Sequence, residues 1–159
     1  MNVTVVCVGN LKEKYWKDAA AEYAKRLSAY CRLIIAEVKD EKTPEGASRL
    51  AEEQIRIREG HRILEKIRGR SYAVMLEIQG ERLTSEAFSA AHTAWETAGR
   101  GELCFVIGGS LGLSEEVLRR ADARISFSDM TFPHQMMRVI LLEQIYRSYR
   151  IRNHEPYHK

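Results

Sequence analysis

Five short apolar runs punctuate the chain, and polar or helically patterned stretches separate them. Val3–Val8, Leu33–Val38, Tyr72–Ile78, Leu103–Ile107 and Ala123–Phe127 are rich in β-branched and aromatic residues, which predicts strands. Lys14–Tyr30 has Trp16, Ala20, Tyr23, Ala24 and Leu27 at helical spacing, with lysines and acids opposite. Leu50–Ile67 predicts a strongly charged helix whose apolar members are Leu50, Ile57, Ile63, Leu64 and Ile67. Its basic residues suit either a polyanion or a solvated face. A further helix starts at Thr84 or Ser85, either of which can cap it, and runs to about Thr97 before Gly99. Ser114 caps a short helix with Glu115 and Glu116 in its first turn. Lys39–Ser48 reads as a surface loop, and Gln79–Arg82 as a turn leaving the third strand.

Strands alternating with helices predict an α/β fold: a mainly parallel sheet of five to six strands, helices on both faces, and one domain over residues 1–159. The last helix, Pro133–Arg152, places Met137, Ile140, Leu141, Gln144, Ile145, Ser148 and Tyr149 on one face. Val139, Leu142 and Tyr146 widen its apolar surface beyond a single sheet contact, which predicts a homodimer through this helix.

Ligands of parallel sheets bind outside the carboxyl ends of the strands. Two consecutive strands end here in loops suited to that work. The fourth runs into Gly108-Gly109-Ser110-Leu111-Gly112-Leu113, and the fifth into Ser128–Phe132 before Pro133 opens a helix. With Leu76–Ile78 they surround one crevice. The glycines read G-G-x-x-G after the fourth strand, not G-x-G-x-x-G after the first, which disfavours a dinucleotide. No lysine follows Gly112, so the loop lacks the P-loop pattern for ATP. Polar groups interleaved with Phe127, Met130 and Phe132 suit a flat ring with polar edges, such as adenosine.

Composition changes this picture little. The chain has 159 residues, 45% hydrophobic and 30% charged, and no apolar run approaches the roughly 20 residues of a membrane span. The first residues lack the features of a signal peptide, so the expected compartment is the cytoplasm. Cys7, Cys31 and Cys104 show no C-x-x-C spacing and read as small hydrophobes, with no metal site. From Arg138 onward five basic residues face two acidic ones, a net +3 equal to the excess of the whole chain. That terminus suits an anionic partner such as nucleic acid, or a solvated face.

The segments GGSLGL (108–113), SFSDMTFPHQMMRVILLEQIYR (126–147), PYHK (156–159) and VGNLKEKYW (8–16) resemble the ribosomal RNA large subunit methyltransferase H family. The likeness spans the chain. It implies a SPOUT-class α/β fold with a C-terminal trefoil knot, which topology rules alone would not suggest. It further implies an S-adenosylmethionine-dependent homodimer that methylates N3 of a pseudouridine in the helix-69 loop of 23S ribosomal RNA, within the large subunit or the assembled ribosome. By that resemblance Leu76, Gly108, Phe127, Ser128, Asp129, Met130, Thr131 and Phe132 bind the cofactor.

N3 carries an imide proton that must leave, so a base or a solvent path is needed. His134, Arg147, Tyr157 and His158 are the candidates for the catalytic group. His134 at a helix start also suits a cap, and Arg147 suits a pair with Glu143 or a grip on phosphate. The tail after Pro156 suits a frayed terminus, or, by the resemblance, an element completing the partner's site. The tail is expected to be dispensable for folding, and a side chain at Gly108 to occupy ligand space. Two other readings stay open: a knotted methyltransferase acting on transfer RNA, and a non-catalytic RNA-binding protein.

Overall fold

A computed structural model describes residues 1–159. The elements run β1 (Asn2–Val8), α1 (Lys14–Leu27), β2 (Arg32–Val38), α2 (Arg49–Lys66), β3 (Tyr72–Arg82), α3 (Ser85–Ala98), β4 (Glu102–Ile107), α4 (Glu115–Arg120), β5 (Ala123–Ser126) and α5 (His134–Arg152). The five strands form one parallel sheet in the order β2-β1-β4-β3-β5. No helix is long and apolar enough to cross a membrane.

Alternation along the central strands divides the core in two. Val3, Val5 and Cys7 of β1, with Leu103, Phe105 and Ile107 of β4, face α1, α3 and α5. Val6, Val8, Cys104 and Val106 face the opposite layer, where Ile63 of α2 and Val117 of α4 complete the packing. Because the strands are buried on both sides, they read as continuous apolar runs. Burial raises the Cys7 thiol to about 11 and the Cys104 thiol to about 12, so both stay protonated and act as packing groups.

Two boundaries and one helix face differ from the sequence expectation. The first helix stops at Leu27 rather than Tyr30: the Ser28 hydroxyl donates to the Lys25 carbonyl, and Tyr30 turns inward to stack on Tyr149. The third strand does not turn away at Gln79. It arches out after Leu76 and rejoins β5 at Glu81 and Arg82. Gly80 permits this, since a Cβ there would lie 2.5–2.7 Å from the Ile125 backbone. The last difference concerns the breadth of α5. Its apolar width is used within the chain, wedged between α1 and α3, with Leu141, Leu142 and Ile145 fully buried. Width therefore gives no argument for a dimer. Met136, Ile140, Glu143 and Arg147, at successive turns of α5, are among its half-buried residues.

A polar seam crosses the α3–α5 contact. His92 Nδ1 lies 2.7 Å from Ser148 Oγ, Tyr149 donates to Glu96 at 2.6 Å, and Arg152 reaches Glu96 at 2.5 Å. Burial alone would raise the Glu96 carboxyl, but bonds from His92, Arg152 and Tyr149 outweigh it and hold its pKa at about 2. A depressed folded pKa contributes stability that is complete above the ordinary carboxylate range and is lost as pH falls through about 2. Glu96→Gln is expected to destabilise the protein at neutral pH and to flatten the acid limb of its stability curve. Denaturant midpoints measured across that limb check this; a variant parallel to the parent at every pH would contradict it.

Candidate functional site

The carboxyl ends of β3, β4 and β5 open into a cavity of about 810 Å³, within the range of small-ligand sites. Three segments surround it: the Glu77–Gln79 arch, the loop Gly108–Leu113, and the run Ile125–Pro133, with His134 and Met137 added from α5. Leu76, Gly108, Phe127, Ser128, Met130, Thr131 and Phe132 all line it, as the sequence suggests. Asp129 does not. Its carboxylate turns outward to pair with Arg82 on the exposed surface.

Local chemistry sets each loop. Gly112, at φ +81°, donates its N–H to the Gly109 carbonyl at 3.1 Å and closes a tight turn. A Cβ on Gly108 would sit 2.9 Å from Leu113 Cδ2 and 3.1 Å from the Gly112 carbonyl carbon. Such a side chain would press on the turn itself, a cost in the fold that the sequence expectation for that residue did not include. In the second loop, Ser126 donates to the Ser128 carbonyl, and Ser128 Oγ accepts the Met130 N–H at 3.0 Å.

The glycine loop rests on α2, a support that the reading of α2 as a solvated charged helix missed. A Cβ on Gly60 would lie 2.4 Å from Ser114 Oγ, the hydroxyl that caps α4, so α2 and the loop approach as closely as glycine allows. The neighbouring Glu59 is buried beneath Gly109 and accepts the Glu41 N–H at 3.0 Å; burial raises its carboxyl. The available signal was a glycine inside a helix, which costs about 1 kcal/mol against alanine and so marks a close approach.

At the start of α5 the buried Arg138 guanidinium donates to Glu37 at 2.7 Å and to the Gly9 carbonyl at 3.1 Å. This ties the exit of the second loop to the ends of β1 and β2. His134 packs against Gly9, and burial, followed by the Arg138 charge, lowers its pKa, leaving a neutral imidazole on the cavity wall at neutral pH.

The other three candidates cluster elsewhere. Glu143 gathers them: Arg147 reaches it through two nitrogens at 2.6 and 2.9 Å, and the Tyr157 hydroxyl donates to it at 3.0 Å. The sequence reading treated Glu143 only as a partner for Arg147. The Arg147 guanidinium also lies 4.7 Å from the Tyr157 ring centroid and 3.2 Å from His158 Nδ1. Arginine can only donate, so His158 Nδ1 accepts, and the remaining N–H on Nε2 faces Glu86 at 2.8 Å. Burial, then bonds to Tyr23 and Glu143, raise the Tyr157 phenol, which stays protonated. Arg147 stands 13 residues beyond His134, about 20 Å along the helix at 1.5 Å per residue. It does not line the cavity of its own chain.

The tail is not frayed. Glu155 pairs with Arg150 at 2.5 Å and accepts the Tyr30 hydroxyl, while Tyr157 packs edge-on against Tyr146 at 4.9 Å. It therefore contributes to the fold, contrary to the expectation from its position after Pro156.

With this geometry in place, likeness to known proteins carries weight. The family profile described as "Predicted SPOUT methyltransferase" matches residues 1–158. Proteins named ribosomal RNA large subunit methyltransferase H are 55% identical in Bifidobacterium animalis subsp. lactis and 57% identical in Clostridioides difficile, each over all of both chains. The chain belongs to the ribosomal RNA large subunit methyltransferase H family of SPOUT methyltransferases. Solved structures agree on the fold. A probable methylase family protein from Haemophilus influenzae superposes with a TM-score of 0.54 at 10% identity, covering 99% of this chain and 70% of its own. The TrmH/SpoU tRNA modifying enzyme of A. aeolicus gives 0.50 at 15% identity, covering 95% and 77%. The strand order and these SPOUT likenesses fit a knotted chain path.

Gly108→Val is expected to lower stability by about 1–3 kcal/mol, the usual cost of forcing a side chain into a packed position. Urea unfolding measures this. An unchanged midpoint would show that the turn has room for a side chain at Gly108.

Proposed function

We propose that this SPOUT methyltransferase uses S-adenosylmethionine and acts, as a homodimer in the cytoplasm, on N3 of a pseudouridine in the helix-69 loop of 23S ribosomal RNA. The observation that carries the reading is the convergence of the glycine loop, the Phe127–Phe132 run and the β3 arch on one cavity at the carboxyl ends of parallel strands. The names of the full-length relatives support the ribosomal substrate. The cavity fits the cofactor in kind: apolar walls from Leu76, Ile107 and Phe127 suit a ring, and the glycine loop brings backbone groups close.

When bound, S-adenosylmethionine supplies an electrophilic methyl group on its sulfonium. Leu76, Gly108, Phe127, Ser128, Met130, Thr131 and Phe132 hold the ligand and exclude water. Their aromatic faces and carbonyls favour its positive charge. Most of the remaining work is to hold N3 in line. Arg147 grips phosphate, and Tyr157 offers a ring for stacking an unpaired base. The imide proton leaves through His134, or through His158 once its Nδ1 gives up the Arg147 donor. Tyr157 and Arg147 are poor acceptors, because one stays protonated and the other has no free lone pair.

Separation of this cluster from the cavity supports a site built from two chains. Exposed Ile78 and Met130 rim the cavity mouth, and Met136 and Ile140 on the outer side of α5 are only half-buried. A second copy seated there would hide both and carry its own Arg147 and tail toward the cavity.

The test follows labelled methyl from S-adenosylmethionine into ribosomes that lack the modification. Wild-type protein is expected to label them; label only in transfer RNA would select the other enzyme reading, and no transfer at all would select a non-catalytic RNA binder. Ile140→Glu is expected to sediment as an inactive monomer. A Tyr157→Ala, His158→Ala double variant and a cavity-filling Thr131→Trp variant should each be inactive alone and regain activity when mixed. Full activity of a monomeric Ile140→Glu protein would overturn the two-chain site.

A further inference from the structure

The cavity wall contains one arginine or lysine, and it comes from the helix that supports the glycine loop. Arg56 of α2 is half-buried and lies at the border between the main cavity and a second depression of about 430 Å³ lined by Glu53, Ile57, Ser114, Glu115, Glu116 and Arg119. It stands four residues before Gly60, hence on the same face of α2 and one turn nearer the mouth. Its neighbours are occupied: Arg58 and Arg62 both pair with Glu41, at 3.5 and 2.6 Å. Arg56 makes neither an ion pair nor a hydrogen bond. Glu53 and Glu115, which share the outer depression, do not come within pairing distance, and Glu116 faces His61 at 3.3 Å. Glu77, the one carboxylate on the cavity wall, stands 3.7 Å from Arg124.

The Arg56 nitrogens are not buried, so their donors meet solvent at the cavity edge and no group of the chain competes for them. Here all five donors of a planar fork remain free at the edge of a cavity whose other cationic candidate, His134, is neutral. Such a fork is complementary to two-oxygen anions and keeps its charge at every working pH.

We propose that Arg56 is an anion clamp at the mouth of the cofactor cavity, gripping an anionic oxygen of a ligand during the reaction. The inference rests on the cofactor and RNA reading given above. Two sources share this chemistry: the carboxylate of the methionyl part of S-adenosylmethionine, and a phosphate of the RNA beside the target nucleotide. Because Arg56 makes no hydrogen bond or ion pair, Arg56→Ala is expected to leave the fold intact, which an unchanged melting temperature verifies.

Calorimetry with S-adenosylmethionine and with its decarboxylated analogue, on wild type, Arg56→Ala and Arg56→Lys, separates the sources. A carboxylate clamp weakens S-adenosylmethionine binding to Arg56→Ala by about tenfold or more, a charged hydrogen-bond pair, and leaves the analogue unaffected. A phosphate clamp leaves both affinities unchanged. It instead raises the Michaelis constant for ribosomes by about tenfold at constant kcat, and lowers the salt slope of RNA binding by about one. Arg56→Lys should recover part of either effect, since the charge remains and the fork does not. An Arg56→Ala protein equal to wild type in cofactor affinity, Michaelis constant and salt slope overturns the clamp while the cofactor reading stands. A wild type that binds no S-adenosylmethionine overturns that reading, and the clamp with it.

Discussion

The polar seam between α3 and α5 is the contact on which the placement of both candidate sites depends. Apolar packing alone would let α5 slide or roll between α1 and α3, since Leu141, Leu142 and Ile145 offer much the same surface to any aliphatic neighbour. His92, Ser89 and Glu96 remove that freedom. Ser148 must meet His92 at 2.7 Å, and its carbonyl must meet Ser89 at 2.9 Å. Tyr149 must reach Glu96. A shift of one residue would leave several of these groups buried without partners, at about 1–3 kcal/mol each. Register is thereby fixed at the carboxyl half of α5, and Arg138 fixes it at the amino half through Gly9 and Glu37.

A helix held at both ends transmits position. Its first residues follow directly from the Phe127–Phe132 loop, and its last turns carry Glu143, Arg147 and the docked tail. The glycine loop is held by a separate route, through Glu59 and Gly60 of α2. The cavity therefore has one wall set by the α5 layer and another set by the α2 layer, with the sheet between them. The β3 arch is the least constrained of the three, since Ile78 is exposed and Gly80 pins only its return. The arch is the segment best able to adjust around a ligand.

Much of this was legible in the chain. Short apolar runs alternating with helical stretches pointed to the parallel sheet, and the glycine loop and the Phe127–Phe132 run line one cavity. Thr84 and Ser114 cap α3 and α4 through side-chain bonds. What stayed hidden had a common cause: pairing across long sequence separation. Gln79–Arg82 looks like a turn because its glycine and charges match one, yet those residues return to β5, some 45 residues later. The breadth of α5 looked like an exposed face because periodicity records which sides are apolar, not what covers them. Asp129 shares its segment with cavity-lining neighbours, but Arg82 draws its carboxylate outward. The tail looked free because a proline and polar residues suggest fraying, while the tyrosines that hold it are Tyr30, in the turn after α1, and Tyr146 of α5.

Symmetry makes the two-chain reading economical. Two copies pairing along the half-buried outer side of α5, antiparallel about an axis near Ile140, would bring position 147 of each helix opposite position 133 of the other. That is an isologous contact, in which one self-complementary surface builds both halves. The same helix then serves as the floor of one cavity at its amino end and as the carrier of Arg147, Tyr157 and His158 to the other cavity at its carboxyl end. The roughly 20 Å that separates these groups within a chain becomes the spacing that lets them meet between chains. It also explains why the tail is ordered by its own chain before any partner is present. Side chains already gathered on Glu143 lose little freedom on pairing, so docking is less opposed by entropy than it would be for a loose terminus.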